Sequence, residues 1–138
     1  MKNFLLLAIA LFPFQLMIAQ EQTSQHPETI YNLKEVDVKP EYPGGVEAFY
    51  KIIAKNFKVP EEQGLNGKII TTFVIEIDGS ITDIKVLQDI GYGSGAEVLK
   101  VLAMTKKWTP AKLNDIPVRV LYEFPISIKS ADKYSKKF

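Results

Sequence analysis

The chain has 138 residues, 46% of them apolar and 24% charged, which suits one globular domain rather than two. Lys and Arg total 17 against 16 for Asp and Glu, a balance that argues against nucleic acid as the main partner. The absence of cysteine excludes disulfides, thiolate metal sites and a cysteine nucleophile.

At the N-terminus, MKNFLLLAIALFPFQLMIAQ places one early Lys before an uncharged run from Phe4 to Ile18 and a small residue at Ala19. That order predicts a secretory signal peptide over residues 1–19, cut between Ala19 and Gln20. The alternative is an uncleaved inner-membrane anchor, for which the run is short, since a spanning helix takes about 20 residues. Residues 20–36 are polar and aperiodic and read as a flexible leader. The one histidine, His26, lies there, too isolated to build a triad or a metal site.

The domain is expected over residues 37–128. It opens on VKPEYPGG, whose prolines force an extended approach and whose glycines turn it. In VEAFYKIIAKNF, apolar residues at Val46, Phe49, Ile52, Ile53 and Phe57 share one helical face. Pro60 and the glycines of EEQGLNG end that helix.

Alternation then takes over. Ile69, Thr71, Phe73, Ile75 and Ile77 form one face of a strand, Asp78-Gly79 supplies a turn, and Ile81 to Leu87 returns. Asp-Gly between two such runs predicts a β-hairpin.

GYGSG (91–95) raises the question of a phosphate cradle. A dinucleotide fingerprint needs G-x-G-x-x-G within a parallel βαβ unit, and a P-loop needs Gly-Lys-Ser/Thr; this chain has neither. The loop therefore reads as a connector into a second helix over 96–107, with Ser94 as its cap. Leu99, Leu102, Ala103 and Lys106 would form one stripe of that helix, with Val98 and Val101 alongside.

The last element, IPVRVLYEFPISIK, has a clean period of two. Val118, Val120, Tyr122, Phe124, Ile126 and Ile128 face one way; Arg119, Leu121, Glu123, Pro125 and Ser127 face the other. Pro125 cannot donate to a ladder, which confines this strand to a sheet edge or a bulge. The expected fold is α+β, in the order α-β-β-α-β: a compact three-stranded antiparallel sheet with two helices on one face and a free edge on its third strand. Residues 129–138 form a basic, solvated tail carrying Lys129, Lys133, Lys136 and Lys137. No constellation suggests catalysis, a metal, a cofactor or a small-molecule substrate, so the chain reads as a non-enzyme.

KPEYPGG, the first helix, the hairpin NGKIITTFVIEIDGSITDIKVL and KKWTPAKLNDIPVRVLYEFPISI together resemble the C-terminal domain of TonB-family proteins over residues 37–128. The resemblance implies a periplasmic module that grasps the TonB box, a short peptide of outer-membrane receptors, by adding it as a strand to the last strand, in the service of nutrient transport. It places Lys39, Tyr42 and Pro43 at the domain entrance as contact residues. On the edge it places Val118, Arg119, Val120, Leu121, Tyr122, Glu123 and Phe124. An aromatic lid packed on the core is the competing role for Tyr42 and Pro43, and Trp108 is expected to anchor the second helix.

A full transducer of this family has an uncleaved anchor and a long Pro-rich linker. Residues 20–39 reach at most about 70 Å even when extended at ~3.3–3.6 Å per residue. The expectation is therefore a free periplasmic TonB-like module. The alternatives are a structural domain that forms a homodimer or joins an envelope complex through its edge strand, or a short anchored transducer.

Overall fold

The computed structural model describes residues 28–129. The expected signal peptide, residues 20–27 of the leader with His26, and the tail beyond Lys129 lie outside the described residues. The elements run β1 (Ile30–Asn32), α1 (Val46–Asn56), β2 (Asn66–Ile75), β3 (Ile81–Gln88), α2 (Ser94–Leu102), β4 (Ala111–Leu113) and β5 (Ile116–Lys129). The α+β class and the five expected elements are present.

The sheet differs from the expected three antiparallel strands. Its order is β1-β5-β2-β3, with β4 also paired to β5, and β1 runs parallel to β5. The two additions are three-residue strands, too short to leave a periodic pattern. β1 lies within the segment read as a flexible leader. Its Ile30 and Tyr31 favour extended backbone, and the outer side of β5 gives them partners.

The central pairing is β2 against β5, antiparallel and in unbroken register from Asn66↔Lys129 to Ile75↔Val120. β2 and β3 pair with two register shifts, and Asp83 takes a positive φ of 47° beside one of them. Such bulges twist β3, which makes the outer side of that strand a poor template for pairing.

The Asp-Gly turn is a three-residue loop rather than a two-residue one. Gly79 N–H donates to Glu76 C=O at 2.9 Å, and Glu76 N–H donates to Ser80 C=O at 2.8 Å. Gly79 supplies the left-handed residue that this loop requires, at φ 83°. Asp78 accepts from Ser80 N–H and Oγ–H, which lower its carboxyl pKa to about 2.

Gly79 is constrained a second time from outside the hairpin. Trp108 N–H donates to Gly79 C=O at 2.8 Å, and a Cβ on Gly79 would stand 1.8 Å from Trp108 C=O. The hairpin turn is thus fastened to the start of the β4 segment, which fixes Trp108 over the sheet.

Around Trp108 the core is aromatic. Phe49 packs edge-on to Trp108 and Phe124 at 4.9 Å between centroids, Tyr42 lies 5.3 Å from both Phe49 and Trp108, and Phe73 stacks on Tyr122 at 5.4 Å. Each such ring contributes about 1.5–3 kcal/mol through burial, and each well-placed pair about 0.5–1.5 kcal/mol more. These rings hold α1 against β5 and β2.

Both helices differ from their expected outlines. In α1, Phe49 and Ile53 are buried and Phe57 closes the C-terminus, whereas Val46 is exposed. α2 ends at Leu102 rather than 107, where Thr105 Oγ–H donates back to Leu102 C=O. Its buried face is Val98, Val101 and Leu102; Leu99 is exposed. Ser94 does not cap α2. The cap position is Gly93, and Ser94 Oγ, buried inside the first turn, accepts from Ile90 N–H at 3.3 Å.

Gly79→Ala is expected to destabilise the domain by about 3 kcal/mol or more, combining a left-handed Cβ with a backbone clash. Gly91→Ala, at a similar φ of 76° but facing open space, should lose only about 1–2 kcal/mol. Urea denaturation of the two variants checks the difference.

Candidate functional site

The phase of the sheet decides which backbone groups of β5 face outward. Both Glu76 backbone groups bond across the hairpin toward β3. Alternation then turns those of Ile75 toward β5, where its partner is Val120. Continuing along β5, Val120, Tyr122, Phe124, Ile126 and Ile128 direct N–H and C=O toward β2. Arg119, Leu121, Glu123, Pro125, Ser127 and Lys129 direct theirs away from it. Pro125 falls on the outward set, where its missing N–H costs β2 nothing.

That outward side is divided. β1 pairs with Arg119, Val120 and Leu121. From Tyr122 to Lys129, no strand among the described residues pairs with it. The free edge expected on the last strand therefore exists, but only over its C-terminal half.

Beside the open half runs an apolar groove of ≈ 300 Å³, between α1 and β5. Tyr50, Ala54, Phe57 and Val59 form one wall; Phe124 to Ile128 form the other. Tyr50 and Val59 are exposed despite their size, and Tyr50 leans on Phe124 at 5.2 Å. Lys51, Lys55, Lys58 and Lys129 are exposed and form no ion pair with the described acids. A strand laid on the outward groups of β5 would place every second side chain in this groove.

The opposite face of β5 carries a buried ion pair. Arg119 Nε–H and Nη–H donate to the two carboxylate oxygens of Glu76 at 2.7 and 3.0 Å. The side chains are 16% and 3% exposed. The Glu76 carboxylate also accepts from Thr82 Oγ–H, so this one residue ties β2, β3 and β5 together. The bidentate contact raises the Arg119 pKa beyond its already high value.

The site residues expected from the sequence fall into three groups. Tyr122, Glu123 and Phe124 lie on the open half of β5. Val118 pairs with β4, while Arg119, Val120 and Leu121 lie under β1. Lys39, Tyr42 and Pro43 sit at the domain entrance, where Glu41 exchanges backbone bonds with Thr109, away from the groove. Tyr42 is only 2% exposed, packed in the aromatic core, and its hydroxyl accepts from Lys106 N–H at 3.1 Å. Burial raises the Tyr122 pKa.

Sequence reasoning missed the α1 wall and the outward groups of Ser127 and Lys129. Tyr50 and Ala54 are four residues apart and flank the Phe49–Ile53 face, a spacing that could have marked a second, half-exposed apolar stripe. The glycine loop holds no anion cradle. Asp89 accepts from Gly91 N–H at 3.0 Å, and a Cβ on Gly95 would stand 2.9 Å from its second oxygen, so a carboxylate already lies beside the start of α2.

The geometry defines a class: a small α+β interaction domain with a half-open sheet edge beside an apolar groove. The chain belongs to the family described as Gram-negative bacterial TonB protein C-terminal, which it matches over residues 58–129, just over half its length. Domains of this family are envelope-associated transduction and interaction modules rather than enzymes. The chain is also similar to the C-terminal domain of TonB from Helicobacter pylori in its solution structure, at 21% identity and a TM-score of 0.46, over 64% of this chain and 82% of that one. A search of curated proteins found no match. No helix among the described residues is long and apolar enough to cross a membrane.

Arg119→Met should lower stability by about 3–5 kcal/mol in chemical denaturation, because it leaves the Glu76 carboxylate buried without its guanidinium. Glu76→Met combined with Arg119→Met should lose less than the single variant.

Proposed function

We propose that this domain captures an extended peptide by strand addition to the open half of β5, and that the peptide is the TonB box of an outer-membrane receptor. The observation that carries this reading is the coincidence of two features on one strand. The outward N–H and C=O groups of Glu123, Ser127 and Lys129 lack a strand partner among the described residues, and the α1 groove lies beside them. Main-chain bonds would supply affinity, and the groove would select apolar side chains at alternate positions. Pro125 leaves one gap in the donor row, which limits the registers a peptide can adopt.

Capture of this kind would operate in the periplasm, where the signal peptide expected from the sequence would deliver the chain. Lys39 and Pro43 lie apart from the groove and would contact only a ligand, or a receptor surface, that extends past β1. Pairing of the same edge with a second copy is the competing use. It would make peptide affinity depend on protein concentration.

Ser127→Pro tests the reading. The Ser127 side chain is exposed and its N–H faces outward, so proline there removes an edge donor without breaking a bond to β2. Binding of a receptor-derived TonB-box peptide should weaken about tenfold or more while the fold is retained, since stranding one buried acceptor costs about 1–3 kcal/mol. Unchanged affinity, or amide shifts that avoid residues 122–129, would remove the basis of the proposal.

A further inference from the structure

We infer that β1 is a built-in competitor for the edge that receives the peptide: a displaceable strand holding Arg119–Leu121 until a longer strand takes the whole outer side of β5. The inference rests on the strand-addition reading and adds its regulation.

Three observations carry it. First, β1 occupies the same side of the same strand as the open half, in direct continuation. Its last residue, Asn32, pairs with Leu121, two positions before the outward groups of Glu123. A ligand longer than the open half cannot extend toward residue 119 without meeting it.

Second, β1 is weakly held. It has three residues, Ile30 and Asn32 are exposed, and its pairing is parallel, the less stable arrangement per residue. Its bonding to β5 also rests on one residue, because the Asn32 groups face away from β5. Asn32 N–H donates to Glu35 Oε2 at 2.6 Å, and its side-chain amide reaches the same oxygen at 3.0 Å. By alternation Tyr31 is left as the residue whose N–H and C=O face β5.

Third, the chain just beyond β1 is anchored separately. Asp37 and Val38 N–H both donate to Lys112 C=O, Lys112 N–H donates to Val38 C=O, and Asp37 Oδ2 accepts from Asn114 N–H at 2.7 Å. Release of β1 would therefore hinge within residues 33–36, whose Leu33 and Val36 pack partly buried against the core, and leave the domain entrance, Tyr42 and the aromatic core in place. A weak strand on a firm hinge is the arrangement a replaceable edge cover requires. Its free energy is small enough for a ligand to exceed, and its loss does not propagate.

Displacement predicts a length rule. A short peptide confined to residues 123–129 leaves the β1 pairing intact and meets only the 33–35 turn that flanks Glu123. A long one able to reach 119 gains the outward groups of Arg119 and Leu121 only after β1 leaves, so its affinity is reduced by the fraction of molecules in which β1 is closed.

The test uses the full mature chain with two labelled alternating Val/Thr peptides, one spanning 119–129 and one spanning only 123–129, read by fluorescence anisotropy. Tyr31→Pro, which removes the N–H aimed at β5, should tighten the long probe about tenfold and leave the short one unchanged. Tyr31→Ala, which keeps the N–H, should move the long probe much less. Conversely, Asn32→Cys with Leu121→Cys, in a chain with no other cysteine, should on oxidation reduce long-probe affinity to that of the short probe, and reduction should restore it. If both probes bind but the long one is indifferent to Tyr31→Pro and to the cross-link, β1 is a fixed part of the sheet and the inference fails while strand addition stands. If neither probe binds any form of the protein, strand addition itself fails and takes this inference with it.

Discussion

Glu76 sets the phase of the sheet. Its backbone groups close the β2–β3 loop, which turns those of Ile75 toward β5 and settles which residues of β5 face in and which face out. Its carboxylate, nearly buried, holds Arg119 on β5 and Thr82 on β3. A buried ion pair is weak grounds for stability on its own, because desolvation offsets most of the attraction. Here its consequence is geometric: its bonds join the three strands in the observed register, in which Pro125 falls on the outer side.

From that phase the rest follows. The outward set runs from Arg119 to Lys129, the aromatic core seats α1 along the inner face of the same strand, and Tyr50, Ala54, Phe57 and Val59 become a wall beside the open groups. A sheet edge with free donors and acceptors is a hazard that proteins usually blunt. This chain blunts one edge with the bulges of β3 and a three-residue stretch of the other with β1. The part left open is the part with an apolar wall, which is where a specific partner gains most from lying down.

Much of this was legible in the sequence, for stated physical reasons. The period of two in 118–128 and the proline within it are direct consequences of pleating and of a missing N–H, and they located the strand, its inner face and its edge character. The hairpin was equally plain from Asp78-Gly79. The Gly79–Trp108 contact was not, because a contact across 29 positions leaves no local trace. β1 was hidden for a related reason. Ile-Tyr-Asn in a polar segment carries no pattern, and it is a strand only because β5 offers it a partner. α2 was drawn too long because the apolar spacing persists past Leu102, while the helix stops where Thr105 turns back on Leu102. Tyr42 shows the converse limit: its motif position left two roles open, contact residue or aromatic lid on the core, and its burial selects the second.

The account stands or falls on whether β5 is open on one side beyond Leu121. Amide hydrogen exchange on the free protein, resolved residue by residue, measures this directly. Glu123 and Ser127 N–H should exchange orders of magnitude faster than Tyr122, Phe124, Ile126 and Ile128 N–H, which bond to β2. Equal protection at odd and even positions across 122–128 would mean that both sides of β5 are paired in the free protein, and would contradict the account.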